Sequence, residues 1–177
     1  MDYSIVCDNC WGWGIYEKLQ KQYNSPFVAV FIETPDYLKL LKNFDYYINK
    51  EIEVISDSKI FLGDIAILIA HPHQKATQEQ IKETWNRRRD RLQAKILFKM
   101  GDLYNIKGEK IIHDNFGDMI KEFHELCLPY KISFTYKKYE YKNNFQIMEQ
   151  HAFDARKLGH DYNLYYNMEN ILNETSI

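Results

Sequence analysis

Short apolar runs along the chain alternate with polar stretches of helical period. Residues 3–7 (Tyr-Ser-Ile-Val-Cys) form a brief β-branched run that predicts a strand, with residues 8–14 as its loop and 15–21 as the following helix. Residues 27–32 are continuously apolar, the mark of a strand covered on both faces. Thr34-Pro35-Asp36 then opens a helix, with Thr34 placed to cap it and Pro35 suited to the first turn. The apolar face of this helix is Tyr37, Leu38, Leu40, Leu41 and Phe44. Residues 51–55 and 60–62 are weaker strand candidates, and 65–70 is a second buried strand that stops at His71-Pro72-His73.

A helix is predicted over 77–92, where Thr77 and Gln80 have capping-box spacing. Residues 95–98 read as a strand, 116–126 as a helix and 131–135 as a strand. Buried strands alternating with helices predict an α/β fold. The expected architecture is a three-layer, Rossmann-like, mainly parallel sheet with helices on both faces. Residues 1–135 form this domain, and the Tyr-, Lys- and Asn-rich residues 136–177 read as a C-terminal extension packed on it.

Bulk properties narrow the function classes. At 177 residues the chain supports one sizeable core. A formal net charge of −2 argues against a general nucleic-acid binder, which carries a basic excess. No apolar run is long enough to span a bilayer and no leader pattern opens the chain, so cytoplasmic residence is expected, with peripheral membrane association left open. Three cysteines do not make a disulfide framework. Cys7-x-x-Cys10 has too few further ligands at metal spacing, so reduced thiols with no metal and no cofactor are expected.

Ligands in parallel sheets sit beyond the carboxyl ends of the strands. That rule selects the loop over residues 8–14, where Gly12 and Gly14 permit close backbone approach and a helix start offers N–H groups to a phosphate. A tight turn around a buried Trp explains the same residues. It also selects His71, a candidate general base or a strand-stopping hydrogen-bond partner. Asp64 is a charge at the start of a buried strand and Asp102 follows the 95–98 strand; both are candidate acids or plain turn residues.

The run from Trp85 to Arg91 holds four arginines. Ile81, Trp85, Arg88 and Leu92 share one helical stripe, which places Arg88 on the apolar face. A charge there needs either an internal carboxylate such as Asp64 or an anionic ligand. Arginine suits bidentate phosphate recognition. Arg87 and Arg91 flank it one turn apart, and a solvated basic face accounts for Arg89 and Arg91.

The run from Ser4 to Gly12, with Asn9-Cys10-Trp11-Gly12 at its end, then Tyr23-Asn24-Ser25-Pro26-Phe27-Val28 and the run from Thr34 to Leu41, resembles a bacterial family. That family is catalogued as a domain of unknown function, with members labelled exopolysaccharide biosynthesis proteins. Leu62-Gly63-Asp64-Ile65, His71 and Trp85-Asn86-Arg87-Arg88 extend the resemblance over residues 4 to about 135. The chain departs from the pattern at Trp13, near Cys7 and Asp8, and at Lys99-Met100-Gly101-Asp102.

The resemblance implies a role in capsule or exopolysaccharide assembly, with sugar transfer as its chemistry. The partners would be a nucleotide-sugar donor and a polysaccharide or lipid-linked acceptor. The residues' own chemistry makes Asn9, Trp11, Gly12, Trp85, Arg87 and Arg88 the candidate substrate-binding residues, and His71 or Asp64 the candidate catalytic base. Two alternatives stand beside this reading: a transferase adding a non-sugar substituent, and a non-catalytic partner in an assembly complex.

Overall fold

The computed structural model of the chain describes residues 2–70, 76–101, 114–135 and 137–146. Strands fall into two separate four-stranded sheets. The first contains β1 (Ser4–Cys7), β6 (Ile96–Gly101), β7 (Tyr130–Thr135) and β8 (Asn144–Gln146), in that order and parallel throughout. The second contains β2 (Val30–Phe31), β5 (Ile65–Ile69), β4 (Lys59–Leu62) and β3 (Ile52–Ser56), in that order and antiparallel throughout.

This overturns the expected Rossmann-like three-layer fold with a mainly parallel sheet. Only two residues separate β3 from β4 (Asp57, Ser58) and β4 from β5 (Gly63, Asp64). A parallel pair needs a crossover of a dozen residues or more, so such short links enforce antiparallel pairing. Gly63, at φ +64°, supplies the left-handed conformation that the second turn requires. Both runs read as parallel strands belong to this second sheet. In the first of them the strand is confined to Val30–Phe31, because Phe27 and Val28 lie in a turn that ends at Ala29 with φ 59°.

Five helices complete the described residues: α1 (Trp11–Lys18), α2 (Thr34–Lys42), α3 (Phe44–Ile48), α4 (Gln78–Arg89) and α5 (Phe116–Glu125). Helix α1 begins four residues earlier than the sequence pattern predicts and absorbs Trp11 and Gly12. Glu33 stands at the N-cap position of α2 without a side-chain capping hydrogen bond, and Thr34, expected as its cap, is its first helical residue with a buried hydroxyl that has no hydrogen-bond partner among the described residues. The Thr77–Gln80 capping box forms in both directions, at 3.3 and 2.9 Å.

Alternation along the parallel strands splits the core in two. Ile5, Cys7, Leu97, Ile132 and Phe134 pack with Trp11, Ile15 and Tyr16 of α1. Val6, Phe98 and Met100 face the other way and share a cluster with α2, α5, Trp85 and the inner face of the antiparallel sheet. The two sheets meet where Ile32, just past β2, donates its N–H to the Asp8 carbonyl at 2.8 Å. Strand β8 lies within the segment read as a C-terminal extension and pairs with β7.

Candidate functional site

The carboxyl ends of β1 and β6 hold a closed ion pair. Lys99 is the direct register partner of Cys7, and its Nζ lies 2.9 Å from Asp8 Oδ1. Asp8 Oδ2 accepts the Gly101 N–H at 2.9 Å. Side-chain exposure is 2% for Lys99 and 0% for Asp8. Burial pushes the Asp8 carboxyl above its ordinary value, against the opposing pull of Lys99 and the Gly101 N–H. Gly101 is obligatory here, since a Cβ would sit 2.7 Å from the Phe134 carbonyl and 3.1 Å from Lys99 Nζ. Sequence reading passed over Lys99; its signal is a lysine inside the apolar run Ile96-Leu97-Phe98-Lys99-Met100.

The neighbouring helix start is spoken for. Asn9 Oδ1 accepts the Trp11 N–H at 3.0 Å, and the Cys10 carbonyl accepts the Trp13 N–H at 3.1 Å. Trp11 is buried with its ring 5.3 Å from Phe134, and Gly12 is packed so that a Cβ would lie 3.0 Å from Cys7 Sγ. These two residues build the core, and the first-turn amides expected to meet a phosphate have internal partners. Cys7 and Cys10 are free thiols; burial raises both, Cys10 to about 11, which leaves little thiolate at neutral pH. Among the described residues no group of three or more His, Cys, Asp or Glu is placed to hold a metal.

Arg88 presents the opposite situation. It is half-buried in the last turn of α4, with its guanidinium 4.9 Å from the Tyr23 ring centroid and Nη1 3.4 Å from the Val28 carbonyl. Both partners are neutral, and among the described residues no carboxylate pairs with it. Burial lowers its pKa; Tyr23 pulls the other way, and the charges of Arg87 and Arg91 lower it further. Arg87 is exposed. Trp85, one turn before Arg88, is buried edge-on against Phe27 at 5.4 Å and serves the core.

Asp64 is not Arg88's partner. It sits on the β4–β5 turn, 65% exposed, bonded to Lys39 and to the Tyr47 hydroxyl, and these contacts hold its carboxyl below the ordinary value. It lies about 20 Å along β5 from Ala70. Three segments do meet on the backbone of residues 28–30. Cys10 Sγ lies 4.0 Å from the Val30 carbonyl, the Ala70 N–H reaches the Ala29 carbonyl at 2.9 Å, and Arg88 takes Val28. Ala70 leads into His71, which, like Asp102, lies outside the described residues.

A third polar cluster joins α5, β7 and β8. His124 Nε2 lies 2.8 Å from Ser133 Oγ, and Asn144 Nδ2 donates to Ser133 Oγ at 2.8 Å and to Thr135 Oγ1 at 2.9 Å. The His124 ring stacks on Tyr141 at 4.3 Å. Ser133 and Thr135 are fully buried, so the network clamps β8 onto β7.

Comparison with known proteins gives a family and a relative. A family model described as a domain of unknown function (DUF1919) matches residues 1–173. A Haemophilus influenzae protein described as an uncharacterized protein is 28% identical over 140 residues, which cover 77% of this chain and 63% of that protein. The chain thus spans less than two thirds of that relative's length. No helix among the described residues is long and apolar enough to cross a membrane.

Proposed function

The chain belongs to the DUF1919 family, and on that premise we propose that it is a transferase of surface-polysaccharide assembly that takes a nucleotide-sugar donor, with Arg88 on the donor phosphates. The observation that carries this reading is Arg88 itself: a half-buried guanidinium held by a carbonyl and an aromatic ring, with no carboxylate among the described residues. A charge in that position is stabilised when an anion arrives. The resemblance of Asn9-Cys10-Trp11-Gly12 and Trp85-Asn86-Arg87-Arg88 to polysaccharide-assembly proteins supports sugar transfer as the chemistry.

Roles narrow accordingly. Arg87 and Arg88 bind donor, while Asn9, Trp11, Gly12 and Trp85 hold the local backbone and core. His71, which lies outside the described residues, is kept as the base for the acceptor hydroxyl on its chemistry and on the resemblance. Asp64 has no place in this group. The test is thermal shift with UDP-, GDP- and CMP-sugars, followed by an assay for nucleotide release. A ligand that prefers the native state raises the melting temperature. Stabilisation by one class, lost in Arg88→Gln, supports the reading, and no response to any class removes it. Binding without release, in the presence of polysaccharide acceptors, would favour the non-catalytic alternative.

A further inference from the structure

We infer that Arg88 and Arg91, organised by Tyr23, form a clamp for a diphosphate. The inference rests on the donor-binding reading above for its biological ligand, and on geometry for its chemistry. Arg88 and Arg91 stand three residues apart, at the end of α4 and in the turn that follows, the spacing that puts side chains on one face. Tyr23 engages both. Its ring lies under the Arg88 guanidinium, and its carbonyl accepts from Arg91 Nη1 at 3.4 Å. Its hydroxyl is bonded to Glu17 of α1, which fixes the ring. Gln22, with its side-chain oxygen turned toward Arg91, accepts from Nη1 and Nη2 at 3.2 and 3.3 Å.

Among the described residues, every acceptor on these two guanidiniums is neutral. Among the described residues, the nearby carboxylates bond elsewhere: Glu17 accepts from the Tyr23 hydroxyl, and Asp90 pairs with Arg89 at 3.3 Å. The two guanidiniums meet at Tyr23, one over its ring and one on its carbonyl, so their like charges repel. A single monoanionic group would neutralise one of them. A diphosphate presents two adjacent phosphates and at least two negative charges, one for each fork, and a planar guanidinium donates to phosphate oxygens in pairs. A helix C-terminus also favours cations, but that effect, which Arg87 and Arg89 of the same last turn can serve, does not require Arg88 to turn inward over a ring.

The clamp therefore prefers diphosphate over monophosphate, and Arg91 is a ligand rather than a solvated surface charge. Calorimetric titration of the whole chain with UDP, UMP, pyrophosphate and phosphate reads this directly. UDP is expected to bind at least tenfold more tightly than UMP, and pyrophosphate more tightly than phosphate. Arg88→Gln and Arg91→Gln should each remove that preference, and Arg89→Gln, which deletes the same charge elsewhere on the helix, should keep it. Tyr23→Leu should weaken UDP, while Tyr23→Phe, which keeps the ring, should retain most of the binding. If Arg88→Gln fails to fold, Arg88→Lys with Arg91→Gln decides the matter. Equal affinity for UDP and UMP, or equal loss in Arg89→Gln, overturns the clamp. Pyrophosphate binding with no response to any nucleotide sugar keeps the clamp and defeats the donor reading.

Discussion

Lys99 and Arg88 are both drawn out of solvent, yet they end in opposite situations. Lys99 is almost completely buried and faces a carboxylate that the fold places 2.9 Å away, with the second carboxylate oxygen held by a backbone N–H. Arg88 is half-buried and has a ring and a carbonyl. Among the described residues, the first charge meets a carboxylate and the second does not. Depth of burial alone would have selected Lys99 as the functional cation. Completeness of its partners says that it holds the Asp8–Cys10 turn in place, and that the shallower cation is the one with capacity for a ligand.

Breaking the closed pair gives the largest expected effect. Lys99→Met leaves the Asp8 carboxyl buried without its cation and should cost about 3–5 kcal/mol in urea unfolding. Asp8→Asn combined with Lys99→Met removes both charges and should recover most of that loss. A single mutant of wild-type stability would show that the pair is not closed, and the contrast with Arg88 would fail. Steric intrusion on the same pair comes next. Gly101→Ala drives a Cβ against the Phe134 carbonyl and Lys99 Nζ, with an expected cost of about 2 kcal/mol. An unperturbed melting curve for Gly101→Ala would mean that the strand end has room to shift.

The contrast also shows where the sequence was readable. The positions of α2, α4 and α5 and the Thr77–Gln80 cap follow from spacing, because helical period and capping are local, whereas α1 starts four residues before its expected start and α3, which takes Phe44, is not foreseen. The sheet direction did not follow either, although the two-residue links at Asp57-Ser58 and Gly63-Asp64 carry it; an apolar run reports burial and says nothing of the direction of its neighbour. Asn-Cys-Trp-Gly was visible as a motif, but its roles in capping and core packing depend on Phe134 and Cys7, far apart in the chain. Placing Arg88 on an apolar stripe was local and is seen in its half-buried position. Its relation to Tyr23, and the failure of Asp64 to reach it, required the fold.

His124 sharpens the comparison from the neutral side, since it meets burial by giving up its charge. Burial, with the nearby charge of Lys131, lowers its pKa from 6.5 to about 4. The unfolded chain therefore takes up this proton first as pH falls, so the contribution is complete above 6.5 and is lost between 6.5 and about 4. The full shift corresponds to at most about 3 kcal/mol. Partial exposure of the ring reduces this to roughly 1–2 kcal/mol. Urea unfolding at pH 7 and at pH 4.5 should show this slope, and His124→Gln should flatten it. An equal slope in the variant would remove His124 from the account.

Arg88→Gln is expected to have the smallest effect on the apo protein, within about 1 kcal/mol of wild type in either direction. The variant loses a stacked guanidinium and a 3.4 Å hydrogen bond, both modest contributions. It also relieves repulsion from Arg87 and Arg91 and the cost of holding a charge away from water. These terms oppose each other, which is the signature of a residue whose partner is supplied from outside. A true internal salt bridge would behave like Lys99 and lose several kcal/mol on truncation, because a carboxylate would be stranded. Urea unfolding of Arg88→Gln beside Lys99→Met therefore compares the two cations on one scale. If Arg88→Gln were to lose as much as Lys99→Met, Arg88 would be a structural charge, and the case for a ligand at the end of α4 would go with it.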